Sequence, residues 1–282
     1  MTGLIITQDQ AARYWLKERT EKSQAHFFRS VRPVYGLTHS DTPMAVGTSF
    51  LFQVDGRKFL ITAAHVIDWN QQTTLYVAGL ATLEQITGDA GVTKAPVTGR
   101  TGDKYDFAFM ELSNEFAERV GADAFLNADD VSENRGTMEG RCFMALGYPA
   151  SRNKPKPLAI TGTHAVGKSW VYSDSCHLND KVFNDVGASP ETHLLLKFGK
   201  RSKAFSGEVT NSINPQGASG GILVDLGRID PAMLAPSAPF IPRLAGVLIE
   251  HHSSSKAIVA SICAACAGWR AAAAAQRAAV IW

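Results

Sequence analysis

Short apolar runs separated by turn residues fill the middle of this chain, from about residue 44 to residue 262. Two of them, GTSFLFQV (47–54) and RKFLITAAHV (57–66), flank the dipeptide Asp55-Gly56. An Asp-Gly pair between two strand-like runs is a strong signal for a tight β-hairpin. Short strands without helices between them are typical of antiparallel β architecture. The further predicted strands are TLYVAG (74–79), DFAFMEL (106–112), GRCFMALGY (140–148), LAITGTHAVG (158–167), HLLLKFG (193–199), GGILVDL (220–226) and LAGVLIEH (244–251).

Helices are predicted only at the two ends of the chain. Residues 7 to 29 have a helical pattern, in which Thr7 and Gln10 form a capping box and Ile6 is placed for a hydrophobic staple. An alanine-rich helix is expected at the other end. The predicted organisation is an N-terminal helix with a lead-in strand (1–42), a first β-barrel (43–130), a second β-barrel (131–256), and a last strand with the C-terminal helix (257–282).

The composition is that of an ordinary globular protein, with 45% hydrophobic and 19% charged residues. A net charge of +2, without a Lys/Arg cluster interleaved with aromatic residues, argues against a nucleic-acid partner. No apolar run approaches the ~18 residues that span a membrane, and the apolar start is too short for a signal peptide. We therefore expect no membrane partner and a cytoplasmic location.

Four cysteines in 282 residues suggest reduced thiols rather than a disulfide framework. Cys263 and Cys266 form a C-x-x-C pair, but no second pair or H-x-x-x-H supplies two further zinc ligands. Cys266 also falls on an apolar helical stripe, where a cysteine packs as a small hydrophobe. We expect neither a metal ion nor a cofactor.

The segment GASGG (217–221) places three glycines around Ser219, directly before an apolar run. Glycine weakens a strand, so the cluster needs a local reason, either a plain turn or a backbone that exposes the serine. Gly217 can adopt backbone angles closed to other residues. Its N–H and that of Ser219 could then face one small pocket and bind the oxyanion of an acyl-transfer reaction.

A nucleophilic serine needs a base that takes its proton and an acceptor that orients the base. His65 follows the apolar run LITAA, and Asp106 opens the run DFAFMEL. Taken alone, such residues are more often a satisfied core histidine and a solvated strand end. Together, in the order His, Asp, Ser and each in a fitting local context, they predict a catalytic triad.

TAAHV, DFAFMEL and GASGG closely resemble the active-site segments of the trypsin/chymotrypsin-like serine peptidases, and the likeness covers about residues 44 to 262. No cysteines lie near these segments, and residues 147–149 read GYP. In both features the chain is more similar to the bacterial members of this family than to the digestive ones. The resemblance implies an all-β fold of two six-stranded antiparallel barrels, a closing C-terminal helix, and a protein or peptide substrate. It implies that His65 is general base and acid, that Asp106 orients it, that Ser219 attacks, and that the Gly217 and Ser219 amides form the oxyanion hole.

Four positions bear on activation and specificity within this resemblance. Ala218 stands where secreted members have an aspartate that pairs with an N-terminus freed by cleavage, so we expect activity without such cleavage. Ile213 would give the primary specificity pocket an apolar floor, which argues against a strict preference for Lys or Arg. Glu250 and His251 would narrow or charge this pocket, unless they form a solvated strand end.

Two other functions fit parts of the sequence. GASGG also matches the G-x-S-x-G of α/β-hydrolase esterases, in which Asp230 and His251 would complete the triad. The hairpins predicted before Ser219 count against that fold. An inert peptidase-like binding module would keep the double barrel without the chemistry. The proline-rich stretch 227–243 and the N-terminal helix are candidates for controlling access to the site, alone or with a regulatory partner.

Overall fold

The computed structural model describes residues 7–88, 90–97, 99–132, 137–154, 167–229 and 240–262. Over these ranges the protein is mostly β and contains two curled antiparallel sheets, which confirms the predicted fold class. The helices are α1 (Gln8–Phe27), α2 (Ala64–Asp68), α3 (Asn114–Val120) and α4 (Asp180–Asp185). The strands are β1 (Val31–Leu37), β2 (Pro43–Val54), β3 (Arg57–Ala63), β4 (Tyr76–Ala78), β5 (Leu83–Gln85), β6 (Ala90–Val92), β7 (Phe107–Leu112), β8 (Arg141–Gly147), β9 (Trp170–Ser175), β10 (His193–Lys197), β11 (Arg201–Lys203), β12 (Val209–Asn211), β13 (Ile222–Arg228), β14 (Arg243–His252) and β15 (Ala257–Ile262).

The first sheet has the strand order β5-β4-β1-β2-β3-β7-β6. It contains seven strands where six were expected, and the three-residue segments β5 and β6 form its two edges. β1, grouped with the N-terminal helix in the predicted organisation, is hydrogen-bonded between β4 and β2. The first sheet therefore begins at residue 31.

The second sheet has six strands in the order β10-β15-β14-β13-β8-β9. An antiparallel bridge between Cys176, directly after β9, and Leu196 of β10 joins its two ends. The sheet thus curls back on itself as a barrel does. β15, grouped with the C-terminal helix in the predicted organisation, lies between β10 and β14. A separate hairpin of β11 and β12 precedes the GASGG segment.

Every strand pair in the described sheets is antiparallel. A nucleophile elbow requires a parallel sheet with helical crossovers. The α/β-hydrolase interpretation is therefore wrong, and its proposed acid, Asp230, lies outside the described residues.

Side chains of both sheets share one buried core. It contains Phe50 and Phe52 from β2 together with Met144 from β8 and Val224 from β13, all at most 1% exposed. Burial of a large apolar side chain contributes about 1.5–3 kcal/mol. The shared core therefore holds the two sheets, and the loops at their ends, in a fixed relation.

The predicted hairpin forms at Asp55-Gly56. β2 and β3 pair up to Val54 opposite Arg57, which leaves a loop of two residues. Both loop residues have positive φ, 51° for Asp55 and 77° for Gly56, as a type I′ turn requires. The hairpin fixes the register of β3 and so the position at which this strand ends.

The N-terminal helix is slightly shorter than the predicted 7–29, with Thr7 as its N-cap. The predicted capping box forms, because the Thr7 hydroxyl accepts from the Gln10 N–H and the Gln10 side chain accepts from the Thr7 N–H. Ile6, the predicted staple residue, lies outside the described residues. None of the described helices combines the length and apolar character needed to cross a membrane.

α1 packs against the second sheet. Arg19 donates to the carbonyl of Leu226 in β13 (2.8 Å), and the Thr20 hydroxyl is hydrogen-bonded to that of Ser173 in β9 (2.8 Å). At the end of the helix, Phe27 is fully buried in the core that both sheets share. The helix is thus part of the folded unit rather than an appended segment.

Shortening the side chain of Phe27 to that of alanine is expected to destabilise the whole fold. Phe27→Ala should lower the free energy of unfolding by about 3–5 kcal/mol, because it leaves a cavity in the shared core. Chemical denaturation measures this loss. Tyr14→Ala is the matched control, since Tyr14 lies on the same helix and is 65% exposed. Equal stability of the two variants would contradict the packing of α1 described above.

Three short helices interrupt the strands, so the expectation of helices only at the chain ends is wrong. α2, α3 and α4 have five, seven and six residues. Segments this short are not stable helices on their own and form through tertiary contacts, which a sequence pattern does not show. Residues 155–166, most of one predicted strand, lie outside the described residues, as does the predicted C-terminal helix with Cys263 and Cys266.

Candidate active site

His65 is the second residue of α2 and not, as predicted, the end of a strand. Ala63, the N-cap, has no side chain that can accept a hydrogen bond from the helix. Asp106 takes that role from a distant part of the chain. Its backbone carbonyl accepts from the Ala64 N–H (3.0 Å), and its carboxylate accepts from the His65 N–H (2.9 Å). The predicted acid therefore caps the helix that carries the predicted base.

The same carboxylate also orients the imidazole. Nδ1 of His65 lies 2.5 Å from Oδ2 of Asp106, a short, charge-assisted hydrogen bond. An ionised carboxylate accepts and cannot donate, so this contact favours the proton on Nδ1 and leaves the Nε2 lone pair free. Asp106 is 3% exposed, whereas the His65 side chain is 35% exposed. The imidazole is therefore fixed on its buried side and accessible on the other.

Asp106 lies in a strained turn that the second sheet helps to hold. Its φ of +42° is in the left-handed region, which costs a non-glycine residue about 1–3 kcal/mol. The buried His193 has Nε2 2.6 Å from the carbonyl of Lys104, and Ser261 donates its hydroxyl to the carbonyl of Tyr105 (2.9 Å). Two strands of the second sheet therefore support a residue of the first.

The GASGG segment docks on the first sheet through Thr48 of β2. Thr48 donates its N–H to the carbonyl of Ser219 (2.8 Å) and its hydroxyl to the carbonyl of Gly217 (3.0 Å). A Cβ on Gly220 would overlap the Thr48 carbonyl oxygen and would lie 3.0 Å from the amide nitrogen of Ala63. Only glycine permits this approach. The serine loop thus lies against the end of β3, where α2 begins.

The Ser219 hydroxyl donates to the backbone carbonyl of Ile249 in β14 (3.1 Å). Among the described residues no hydrogen bond joins this hydroxyl to His65. The structure therefore brings His65 and Asp106 into direct contact. It places the serine loop against the end of β3, with the Ser219 hydroxyl turned towards β14. A hydrogen bond to Nε2 would require rotation about the Cα–Cβ bond of Ser219 into another staggered position.

The N–H groups of Gly217 and Ser219 have no acceptor among the described residues. The amide between them is engaged, since Ala218 donates to the carbonyl of Pro215 (2.8 Å). Gly217 has a φ of +93°, the conformation for which glycine is needed. Both residues are half-buried, and two unpaired amides in one loop can receive an anionic oxygen.

The predicted specificity residues fall into two places. Ile213 packs against the apolar cluster of the second sheet that contains Phe198. His251 meets Phe198 edge-on, with ring centroids 5.1 Å apart, and burial together with a neighbouring histidine lowers the pKa of His251. Glu250 is paired with His252, with Oε2 and Nε2 2.6 Å apart. Ile213 thus lies at the apolar cluster, whereas His251 is exposed and Glu250 half-buried near the end of β14.

Glu250 also lines a cavity of about 150 Å³. The loop at 102–104 and the segment 186–188 form two of its walls, and Ile249 forms a third. Ser219 and His65 are not among the residues that line it. The cavity therefore lies beside the turn that carries Asp106, and it is not assigned to the serine.

The described cysteines are not placed as alternative nucleophiles. Cys142 and Cys176 are buried free thiols. Burial raises the pKa of the Cys142 thiol to about 12, so the reactive thiolate is scarce at neutral pH. Within the described ranges, no cluster of three or more His, Cys, Asp or Glu residues is arranged to hold a metal ion.

Two groups that hold the serine loop were missed from the sequence. Thr48 lies in the strand-like run GTSFLF, where threonine is common, so its contacts become visible only with the docked loop. The acceptor on Ile249 is a backbone carbonyl, which no side-chain pattern indicates. Both contacts are long-range, since they join residues 30 or more positions apart.

Comparison with known proteins gives distant similarities. No protein-family model and no curated protein matches the chain. It is similar to the structure of a Glu endopeptidase in complex with MPD (14% identity, 83% of this chain and 85% of that chain, TM-score 0.42). It is also similar to the active form of the Rv3671c protease from M. tuberculosis (14% identity, 86% and 80% coverage, TM-score 0.40). A third similar structure concerns the intrinsically disordered Sesbania mosaic virus VPg protein (14% identity, 82% of this chain and 85% of that chain, TM-score 0.38). Similarities this distant assign no activity to the chain.

Proposed function

We propose that this protein is a serine endopeptidase that hydrolyses peptide bonds through His65, Asp106 and Ser219. The observation that carries the proposal is the short hydrogen bond between Nδ1 of His65 and the buried carboxylate of Asp106, which leaves Nε2 free as a base. The docking of the GASGG loop beside the same helix supplies a hydroxyl within the same region. The substrate class is a protein or peptide chain.

In the proposed first step, the Ser219 hydroxyl leaves the Ile249 carbonyl and gives its proton to Nε2 of His65. Its oxygen bonds to the carbonyl carbon of the scissile peptide, and the negative charge moves to the carbonyl oxygen. The N–H groups of Gly217 and Ser219 stabilise this oxyanion, each typically contributing about 2.7–4 kcal/mol to the transition state. Asp106 stabilises the imidazolium that forms.

In the second step, the tetrahedral intermediate collapses and the peptide C–N bond breaks. The protonated His65 gives its proton to the departing amine, which leaves Ser219 acylated. A water molecule, deprotonated by Nε2 of His65, then attacks the acyl carbon. The ester bond breaks, the proton returns to the serine oxygen, and the second half of the substrate leaves as a carboxylate.

A second candidate function is an inert peptidase-like binding module. One observation favours it: the Ser219 hydroxyl donates to a main-chain carbonyl and not to the imidazole. In an inert module this hydrogen bond would be permanent, and the glycines of GASGG would serve only the docking of the loop. The two functions therefore differ in whether Ser219 can react.

A fluorophosphonate probe decides between these functions, because it forms a bond with a serine only when a base activates the hydroxyl. We expect the wild-type protein to be labelled and Ser219→Ala to be unlabelled. His65→Gln should also lose labelling, since it removes the base but keeps the hydroxyl. Tandem mass spectrometry should locate the phosphonate on residue 219. A folded wild-type protein that takes up no probe would support the inert module.

Ala218 and the N-terminal helix support activity without removal of an N-terminal segment. Ala218 is 3% exposed and belongs to the apolar cluster of the second sheet, where it offers no charge to a freed N-terminus. α1 is anchored to the second sheet and the shared core. We therefore propose that the helix stays attached in the active protein. Control of access by the 227–243 stretch or by a partner stays a prediction.

A further inference from the structure

Arg100 joins the two segments that carry the histidine and the acid. Its guanidinium donates two hydrogen bonds to the carboxylate of Asp68, from Nε to Oδ2 (2.7 Å) and from Nη2 to Oδ1 (3.1 Å). Its Nη1 donates to Oδ2 of Asp103 (2.8 Å). Asp68 is the last residue of α2, three positions after His65, and Asp103 lies three positions before Asp106. One side chain thus spans both halves of the base–acid pair.

Thr93 extends this network to the other side of Asp106. Its carbonyl accepts a second hydrogen bond from Nη1 of Arg100 (2.7 Å), and its hydroxyl donates to Asp103 (2.5 Å). The same hydroxyl accepts from the N–H of Phe107 (3.0 Å), the residue that follows Asp106. The strained acid is therefore bracketed by residues held in one network.

Two of the three charged side chains of this network are well shielded from solvent. The side chains of Arg100 and Asp103 are 19% and 4% exposed. Hydrogen bonds to Asp68 raise the pKa of Arg100. Burial alone would raise the pKa of Asp103, but hydrogen bonds from Thr93, from the backbone and from Arg100 lower it. Loss of the guanidinium would leave Asp103 as a buried carboxylate without its cation.

We propose that Arg100 is a positioning residue, which holds α2 and the 103–106 turn at the separation that the His65–Asp106 hydrogen bond requires. This inference rests on the proposed function only where it treats the His65–Asp106 pair as catalytic. α2 is only five residues long and lacks a cap of its own, and Asp106 has an unfavourable φ. His193 and Ser261 also hold the turn, and the guanidinium of Arg100 adds a link between the turn and the far end of α2. Catalytic geometry tolerates little displacement, since a shift of about 1 Å can cost about 10²-fold in rate.

The first test observes the hydrogen bond itself, independently of any reaction. In protein labelled with ¹⁵N-histidine, the Nδ1 proton of His65 should give a low-field resonance, assigned by its loss in His65→Gln. We expect this resonance to disappear through exchange with water in Arg100→Gln. Arg57→Gln is the matched control and should retain it. Arg57 likewise pairs with a carboxylate of another segment, since its Nε in β3 donates to Glu111 in β7 (2.8 Å), but it lies at the end of β3 farthest from α2.

The second test measures rate. Arg100→Gln should lower kcat on a peptide substrate by about 10–100-fold with KM unchanged, because geometry and not substrate binding is affected. Arg100→Lys keeps the charge but cannot contact both carboxylates in the same way, so its kcat should fall between those of the wild type and Arg100→Gln. Should Arg100→Gln fail to fold, Asp68→Asn cuts only the contact with the half-exposed end of α2 and should produce the same effects in weaker form.

The two tests separate this inference from the proposed function. The wild-type protein could show the resonance, and lose it in Arg100→Gln, without any fluorophosphonate labelling or peptide turnover. That result upholds the positioning role of Arg100 and rejects the peptidase. An active protein whose Arg100→Gln and Asp68→Asn variants keep both the resonance and the wild-type kcat overturns the positioning role. Absence of the resonance from the wild type also overturns it, since there would be no hydrogen bond to position.

Discussion

Replacing Ser219 by alanine is expected to lower peptide turnover by about 10⁶-fold. No other described group takes over the attack, because the described cysteines are buried as thiols. The loop should keep its conformation, since Thr48 binds the backbone carbonyls of Ser219 and Gly217 and not the serine hydroxyl. Turnover of an internally quenched peptide, with thermal unfolding of the same samples, measures both effects.

Ser151→Ala is the matched control for this experiment. Ser151 is exposed, and its hydroxyl likewise donates to a main-chain carbonyl, that of Asn214 (3.2 Å). We expect it to retain wild-type turnover and stability. Ser219→Ala with unaltered hydrolysis would show that the measured activity does not come from this serine, and the proposed mechanism would have to be abandoned.

Asp106→Asn is expected to lower kcat by about 10⁴-fold with little change in fold. The amide oxygen can still accept from the His65 N–H, which keeps the cap of α2. The amide nitrogen would then face Nδ1 and donate to it, which forces the imidazole proton onto Nε2. A protonated Nε2 cannot accept the serine proton. The substitution thus tests the tautomer and not merely the presence of a contact.

The control for Asp106→Asn is Asp41→Asn. Asp41 is also an aspartate with a left-handed backbone (φ 54°), but it lies in an exposed turn of the first sheet. Its variant should have wild-type kcat, which separates any effect of asparagine on such a turn from an effect on the imidazole. If Asp106→Asn kept more than a tenth of wild-type kcat, the carboxylate would have no role in orienting the base.

The parts of the fold that the sequence predicts are those set by neighbouring residues. Asp55-Gly56 predicts its hairpin because two positive φ angles in succession are needed there and few residue pairs adopt them. The capping box of α1 likewise involves residues three positions apart. Most longer strands were recognisable from their apolar runs. β9, with the largely polar sequence WVYSDS, and the three-residue edge strands β5 and β6 were not, since they carry too little apolar pattern.

The candidate site could be predicted as residue types but not as an arrangement. His65, Asp106 and Ser219 each stand in a local context that suggested chemistry, and the contact of His65 with Asp106 follows that expectation. The capping of α2 by Asp106 and the direction of the Ser219 hydroxyl were not predictable. Both depend on contacts between segments 30 or more positions apart, which the pairing of β3 with β7 and of β13 with β14 brings together.

The role of Thr48 in holding the serine loop has a consequence for the life of the protein in a cell. The loop belongs to the later half of the chain, but the hydrogen bonds that fix two of its carbonyls come from the earlier half. During synthesis Ser219 emerges after Thr48, and the loop can take this conformation only once β2 is in place. In the proposed peptidase, a nascent or partly unfolded chain would therefore carry an ordinary, unreactive hydroxyl.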